Sequence, residues 1–263
     1  MSIRNASVTL VGLGLLFVLG GPAEAALVGY WPFDAGSGGT AFDASSGGHN
    51  GTINGASWVT ADPLRGTALS FDGNDYVDMG DRNYPVANAI TVAAWAYSTE
   101  NDGHIVNQGG GWSDDGYTIF WCRDPNPDAI RIELQNGSKV MSDNTAPSQD
   151  AWHYVAFTWD QNGDKRIRTY IDGTLMGNQP VFNGPIGDPD QNLNVGRNAA
   201  HDRYLSGMID DVAIWDEALE PWQLSNAMRL GADQYNVPEP TTLLVWSLLA
   251  ALGIGCGAHR RKR

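Results

Sequence analysis

Trp152-His153-Tyr154-Val155-Ala156-Phe157-Thr158-Trp159, followed by Tyr170-Ile171-Asp172-Gly173, decides the fold class. The first stretch is rich in aromatic and β-branched residues and holds neither Gly nor Pro, so it reads as a strand. In the second, Tyr170 and Asp172 precede a glycine that permits a tight reversal. The same grammar recurs outward from this pair. Ala68 to Phe71, Ile90 to Tyr97, Tyr117 to Cys122, Ala129 to Leu134, Ile167 to Ile171 and Met208 to Trp215 read as further strands. Nine Asn-Gly or Asp-Gly steps, at 50, 54, 72, 102, 115, 136, 162, 172 and 183, supply hairpin turns between them. One helix is expected, Leu219 to Leu230, opened by Glu220, Pro221 and Gln223. No repeat of about 20 to 50 residues is visible, which argues against a propeller or solenoid. The expected fold class is all-β, a two-sheet antiparallel jelly-roll sandwich.

The chain has 263 residues and a formal net charge of −14. That balance opposes a sequence-independent grip on nucleic acid, which needs clustered cations. Cys122 and Cys256 are too few and too far apart for a disulfide framework or a multi-cysteine zinc site. Residues 1–25 read as a signal peptide: Arg4, an apolar run from Val8 to Leu19, then Ala23-Glu24-Ala25 as the cleavage site. At the other end, Val237-Pro238-Glu239-Pro240 precedes an apolar run from Thr241 to Ala258 and the basic His259-Arg260-Arg261-Lys262-Arg263. A run of about 18 apolar residues reads as a transmembrane helix, and terminal cations stop translocation. Between the ends, residues 26–236 hold 11 Lys+Arg against 28 Asp+Glu, so the central domain stands near −17.

Two resemblances follow from these motifs. The segment 237–263 resembles the PEP-CTERM sorting tail, which implies recognition by an exosortase in the inner membrane, removal of the tail and delivery to the cell surface or polysaccharide matrix of a bacterium. The central domain resembles the LamG-like, concanavalin A-like jelly rolls over roughly Leu27 to Arg229. The residues that carry this are Tyr30-Trp31-Pro32-Phe33-Asp34 with Phe42-Asp43-Ala44-Ser45 and Asn50-Gly51-Thr52, then Gly66 to Gly73 with Tyr76-Val77, the two stretches quoted above, and Gly207 to Trp215 with Ala218-Leu219. Trp95, Trp152, Trp159 and Trp215 are expected to pack in the sandwich, whereas Trp112 and Trp222 lie outside clear strands and are candidates for an exposed platform.

Some concanavalin A-like folds are glycoside hydrolases, whose chemistry needs two carboxylates across the scissile bond. The central domain has four Glu, at 100, 133, 217 and 220, and none lies in a Glu-x-Asp-x-Glu strand. Asp210 and Asp211 are adjacent and by alternation face opposite ways. His49, His104, His153 and His201 stand in no nucleophile motif and read as surface or turn polarity. Enzymatic activity is therefore not expected. The superfamily resemblance implies a structural Ca²⁺, for which Asp34 and Asp43 in the opening loops with Asp210 or Asp211 in the closing strand are the candidates; hard carboxylate oxygens suit that ion. It also implies a non-catalytic recognition module for extracellular polysaccharide or a surface protein. The concave sheet or loop rim is the expected surface, with Trp112, Tyr117, Tyr204 and the His201 to Tyr204 stretch as contacts. A purely structural matrix role is the alternative.

Overall fold

The computed structural model describes residues 25–61, 66–80, 88–100, 102–109, 115–123, 128–188 and 191–236. The expected signal helix, Trp112, the Val237-Pro238-Glu239-Pro240 motif and the C-terminal helix lie outside the described residues. Among the described residues no helix is long and apolar enough to cross a membrane.

The strands run β1 (Leu27–Trp31), β2 (Thr40–Ala41), β3 (Gly51–Asn54), β4 (Ser57–Thr60), β5 (Thr67–Asp72), β6 (Tyr76–Asp78), β7 (Ala89–Ser98), β8 (Gly103–Gln108) and β9 (Gly116–Cys122). They continue with β10 (Ala129–Gln135), β11 (Lys139–Thr145), β12 (Trp152–Asp160), β13 (Arg168–Ile171), β14 (Thr174–Leu175), β15 (Leu193–Val195), β16 (Arg197–Asn198), β17 (Arg203–Tyr204) and β18 (Ser206–Trp215). One sheet has the order β14-β13-β12-β7-β18-β5-β4, with β1 also paired to β18. The second has the order β11-β10-β9-β8-β15-β6-β3-β2, and β16 and β17 form a separate hairpin. Pairing is antiparallel in both sheets, so the molecule is an all-β antiparallel two-sheet sandwich.

Alternation builds the interior. Val92, Ala94, Val155, Phe157, Trp159, Ile209 and Ile214 from the first sheet meet Ile119, Trp121, Ile130, Ile132 and Leu134 from the second in one buried cluster. A smaller cluster covers the outer face of the first sheet. There α1 (Pro221–Leu230) lays Leu224 and Ala227 against Tyr154, Ala156, Ala213 and Trp215. The helix begins as its sequence demands: Pro221 needs no N–H at the first position, and Glu220 N–H donates to Gln223 Oε1 at 2.9 Å. Trp159 and Trp215 are fully buried, and Trp95 and Trp152 lie half-buried in edge-on contact with Tyr154 and Tyr97, so all four pack in the sandwich. Trp222 stands exposed on the helix.

The quoted motifs have structural causes. Asp172 and Gly173 both take positive φ, 50° and 75°, which closes the two-residue turn from β13 to β14. The Asp172 carboxylate then accepts the Tyr154 N–H at 2.9 Å and pairs with His153 Nδ1 at 2.7 Å, tying the start of β12 to that turn. At Gly207, φ is 154° and any Cβ would strike the Tyr97 carbonyl oxygen, so β18 lies against β7 only with glycine there.

Candidate ligand-binding cleft

Strands β8, β9, β10 and β11 form a four-stranded meander, and its outer face carries polar side chains where the inner face carries Ile, Leu and Trp. Register aligns them in rows across the strands. His104 stands beside Phe120, Phe120 beside Arg131, and Arg131 beside Asp143; in the next row Asn107, Thr118, Glu133 and Met141 follow one another. The β16–β17 hairpin adds Asn198, His201 and Arg203 as a wall, and together these residues, Asp143 excepted, line a cleft of about 400 Å³.

One irregularity makes this face possible. His104 and Asn107 are three residues apart and would face opposite ways in a regular strand. A β-bulge between His104 and Val106 inserts one residue, so Ile105 and Val106 both enter the core while His104 and Asn107 both line the cleft. His104 is thus a buried floor residue, only 4% exposed, and not the surface or turn polarity expected from the sequence.

The floor is tightly arranged. The Thr118 hydroxyl donates to Val106 O at 3.0 Å, so its oxygen accepts from His104 Nδ1 at 2.8 Å, which assigns the proton to that ring nitrogen. The imidazole stacks on Phe120 with centroids 4.3 Å apart and planes 10° apart. Burial chiefly, with smaller contributions from the nearby Arg203, His201 and Lys139, lowers the His104 pKa to about 3, so the ring is neutral. Arg131 makes a two-point contact with Asp143 at 2.6 and 3.0 Å, and Lys139 lies 3.3 Å from Glu133. Asn107 differs from all of these. Its Oδ1 is buried in the cleft and has no hydrogen-bond partner among the described residues.

The sequence-derived contacts fare unevenly. Tyr117 is 2% exposed and turns its ring toward Phe157 in the core, centroids 6.2 Å apart, so only its edge reaches the cleft. Tyr204 packs near Tyr76, 6.5 Å between centroids, and its neighbours His201 and Arg203 line the cleft instead. Glu133, which stands in no Glu-x-Asp-x-Glu strand, lies within the cleft, and so does the buried Cys122.

The four aspartates considered for calcium do not fit the ion. Asp43 spends both oxygens on backbone N–H groups, Oδ1 on Tyr30 and Ser45 and Oδ2 on His49, at 2.7 to 2.9 Å. Burial alone would raise its pKa, but hydrogen bonds with Ser45, Tyr30 and His49 prevail and hold the carboxyl below its ordinary value. Asp211 accepts the Tyr30 hydroxyl at 2.7 Å. A bulge in β18 between Asp210 and Ala213 also breaks the expected alternation: Asp210 stands opposite Trp95, and both aspartates belong to the outer layer of the first sheet. Asp34 is exposed. Among the described residues no group of three or more His, Cys, Asp or Glu could hold a metal.

Solved structures place this geometry in context. Domain 4 of AbnA, a GH43 extracellular arabinanase from Geobacillus stearothermophilus, solved in complex with arabinotriose, matches with a TM-score of 0.61 at 18% identity, over 77% of this chain and 98% of that one. The binding domain of Paraclostridial Mosquitocidal Protein 1 matches with a TM-score of 0.57 at 12% identity, over 76% of this chain and 51% of that one. The botulinum neurotoxin serotype D binding domain matches with a TM-score of 0.53 at 16% identity, over 76% of this chain and 50% of that one. The chain thus spans about half the length of the toxin domains, and at these identities the likeness is one of fold. No curated protein sequence matches. The Laminin_G_3 family, described as the concanavalin A-like lectin/glucanases superfamily, matches residues 71–225, more than half of the sequence, and the chain belongs to that family.

Proposed function

We propose that the protein is an exported, non-catalytic recognition module that binds carbohydrate in the cleft on the outer face of β8 to β11. The observation that carries this reading is Asn107 Oδ1. A buried acceptor without a donor costs on the order of 1–3 kcal/mol, and a ligand hydroxyl seated in the cleft would recover it. The surrounding set suits a polyol: amides at Gln135 and Asn198, the Thr118 hydroxyl, a neutral imidazole and the Phe120 ring. The arabinotriose complex of a fold neighbour supports a saccharide as the ligand class.

Against hydrolysis, Glu133 is the one carboxylate among the cleft-lining residues, and Lys139 and Gln135 both bond to it, whereas a glycosidase needs two carboxylates across the bond. Export and sorting rest on the sequence of the two ends, and mass spectrometry of the exported protein tests them: loss of residues 1–25 and of Arg260 to Arg263 is expected. The binding reading is tested by titrating the purified chain against an oligosaccharide panel. Asn107→Leu should abolish binding while leaving the urea midpoint unchanged or raised, because it removes an unsatisfied polar group. A fall in stability with binding intact would mean that Asn107 serves the fold.

A further inference from the structure

The cleft departs from the acidic balance of the domain around it. Residues 26–236 carry 28 acidic side chains against 11 basic ones, yet three of those cations, Arg131, Lys139 and Arg203, line the cleft with a single carboxylate, Glu133. Internal pairing accounts for two of the three: Asp143 holds Arg131, and Glu133 holds Lys139. Arg203 is arranged differently. Among the described residues its nearest carboxylate, Asp102, lies 3.8 Å away and is shared with Arg123 at 4.0 Å, and both separations exceed hydrogen-bonding range. Arg203 is 52% exposed, so its fork of N–H donors is open to the cleft mouth.

Its position is nonetheless fixed. The Arg203 guanidinium carbon lies 5.4 Å from the centroid of Phe120, whose ring is itself stacked on His104. A guanidinium seated on an aromatic ring, at the rim of a floor of amides and a hydroxyl, matches a sugar that carries an acidic substituent. The planar fork suits an oxyanion in two-point contact, and in a domain this acidic the exposed Arg203 at the cleft mouth is a place where an anionic group meets a cation.

Resting on the carbohydrate reading above, we infer that the cleft selects anionic saccharides, with the sugar ring on the Asn107–Thr118 floor and the acidic group at Arg203. Calorimetric titration of the full chain tests this with three probes of similar size: tetragalacturonate for a carboxylate, a sulfated carrageenan tetrasaccharide for a sulfate ester, and cellotetraose as the neutral control. One of the two acidic probes should bind about tenfold or more tighter than cellotetraose at low salt, in line with a charge-assisted hydrogen bond. Which of the two does so identifies the acidic group. The preference should shrink as salt is raised. Arg203→Gln should erase it without moving the melting temperature, and Arg203→Lys should restore only part of it. Equal binding of all three probes, unchanged in Arg203→Gln, would overturn the selectivity and leave the carbohydrate cleft standing. Failure of all three here, together with failure of the wider panel, would remove the cleft reading and this inference with it.

Discussion

On the first sheet the outward side chains beneath α1 are Ala93, Ala156, Ala213 and Trp215, all at most 1% exposed and sealed by Leu224 and Ala227. On the second sheet the corresponding outward positions of β8, β9 and β10 are His104, Asn107, Thr118, Phe120, Arg131 and Glu133, and a hairpin and a cleft stand over them instead of a helix. Both faces are largely buried, so depth alone does not separate them. What separates them is polarity. The first face is closed by apolar packing, with the Trp215 Nε1 donor enclosed in it, while the second holds polar groups in fixed geometry at a cleft, one of which, Asn107 Oδ1, has no hydrogen-bond partner among the described residues. A sandwich needs its inner faces to be apolar. Its outer faces are free to differ, and here one supports the fold while the other is built for contact.

The largest effect should come from breaking the sealed face. Trp215→Ala removes a fully buried indole from between β18 and α1 and should cost about 3–5 kcal/mol in urea unfolding. A loss below about 1 kcal/mol would mean that the helix contributes little to closure.

A smaller, pH-dependent effect belongs to the cleft. His104 has its pKa lowered from 6.5 to about 3 in the fold, chiefly by burial. Between those values the unfolded chain binds a proton that the native chain does not, so this contribution is present above pH 6.5 and is lost as pH falls toward 3. His104→Gln should flatten the fall in stability over that window, as read from melting temperature against pH. An unaltered slope would place the titrating group elsewhere.

The smallest effect is expected from metal removal. Asp43 and Asp211 are committed to protein donors, so chelation with EDTA should leave the melting temperature unchanged, and a drop restored by Ca²⁺ would contradict that assignment.

Much of the fold was legible because its signals are local. Alternating aromatic and β-branched runs predicted β5, β7, β9, β10, β12, β13 and β18 within a few residues, and Glu220-Pro221 marked the helix start. β8 and β11 escaped notice. Gly103-His104-Ile105-Val106-Asn107-Gln108 is bulged, and Lys139 to Thr145 does not alternate, having the adjacent Val140 and Met141 as its only large apolar residues. Those two strands help to frame the cleft, which explains why the fold was read better than the site. The same reason misplaced Asp211: a bulge is set by pairing across strands and leaves no periodic trace in one sequence. The reading did direct attention to His201 and its neighbours, because an aromatic and basic stretch between strands is a natural rim. It could not locate Asn107, whose significance depends on a missing partner that only assembled strands reveal.

Backbone hydrogen–deuterium exchange of the chain, with and without a saturating oligosaccharide, tests the central claim most directly because it reads both outer faces at once. The account predicts slower exchange in β8 to β11 and in residues 197–204, with α1 and the outer layer of the first sheet unchanged. Protection confined to α1 and its sheet, with β8 to β11 unaltered, would contradict it.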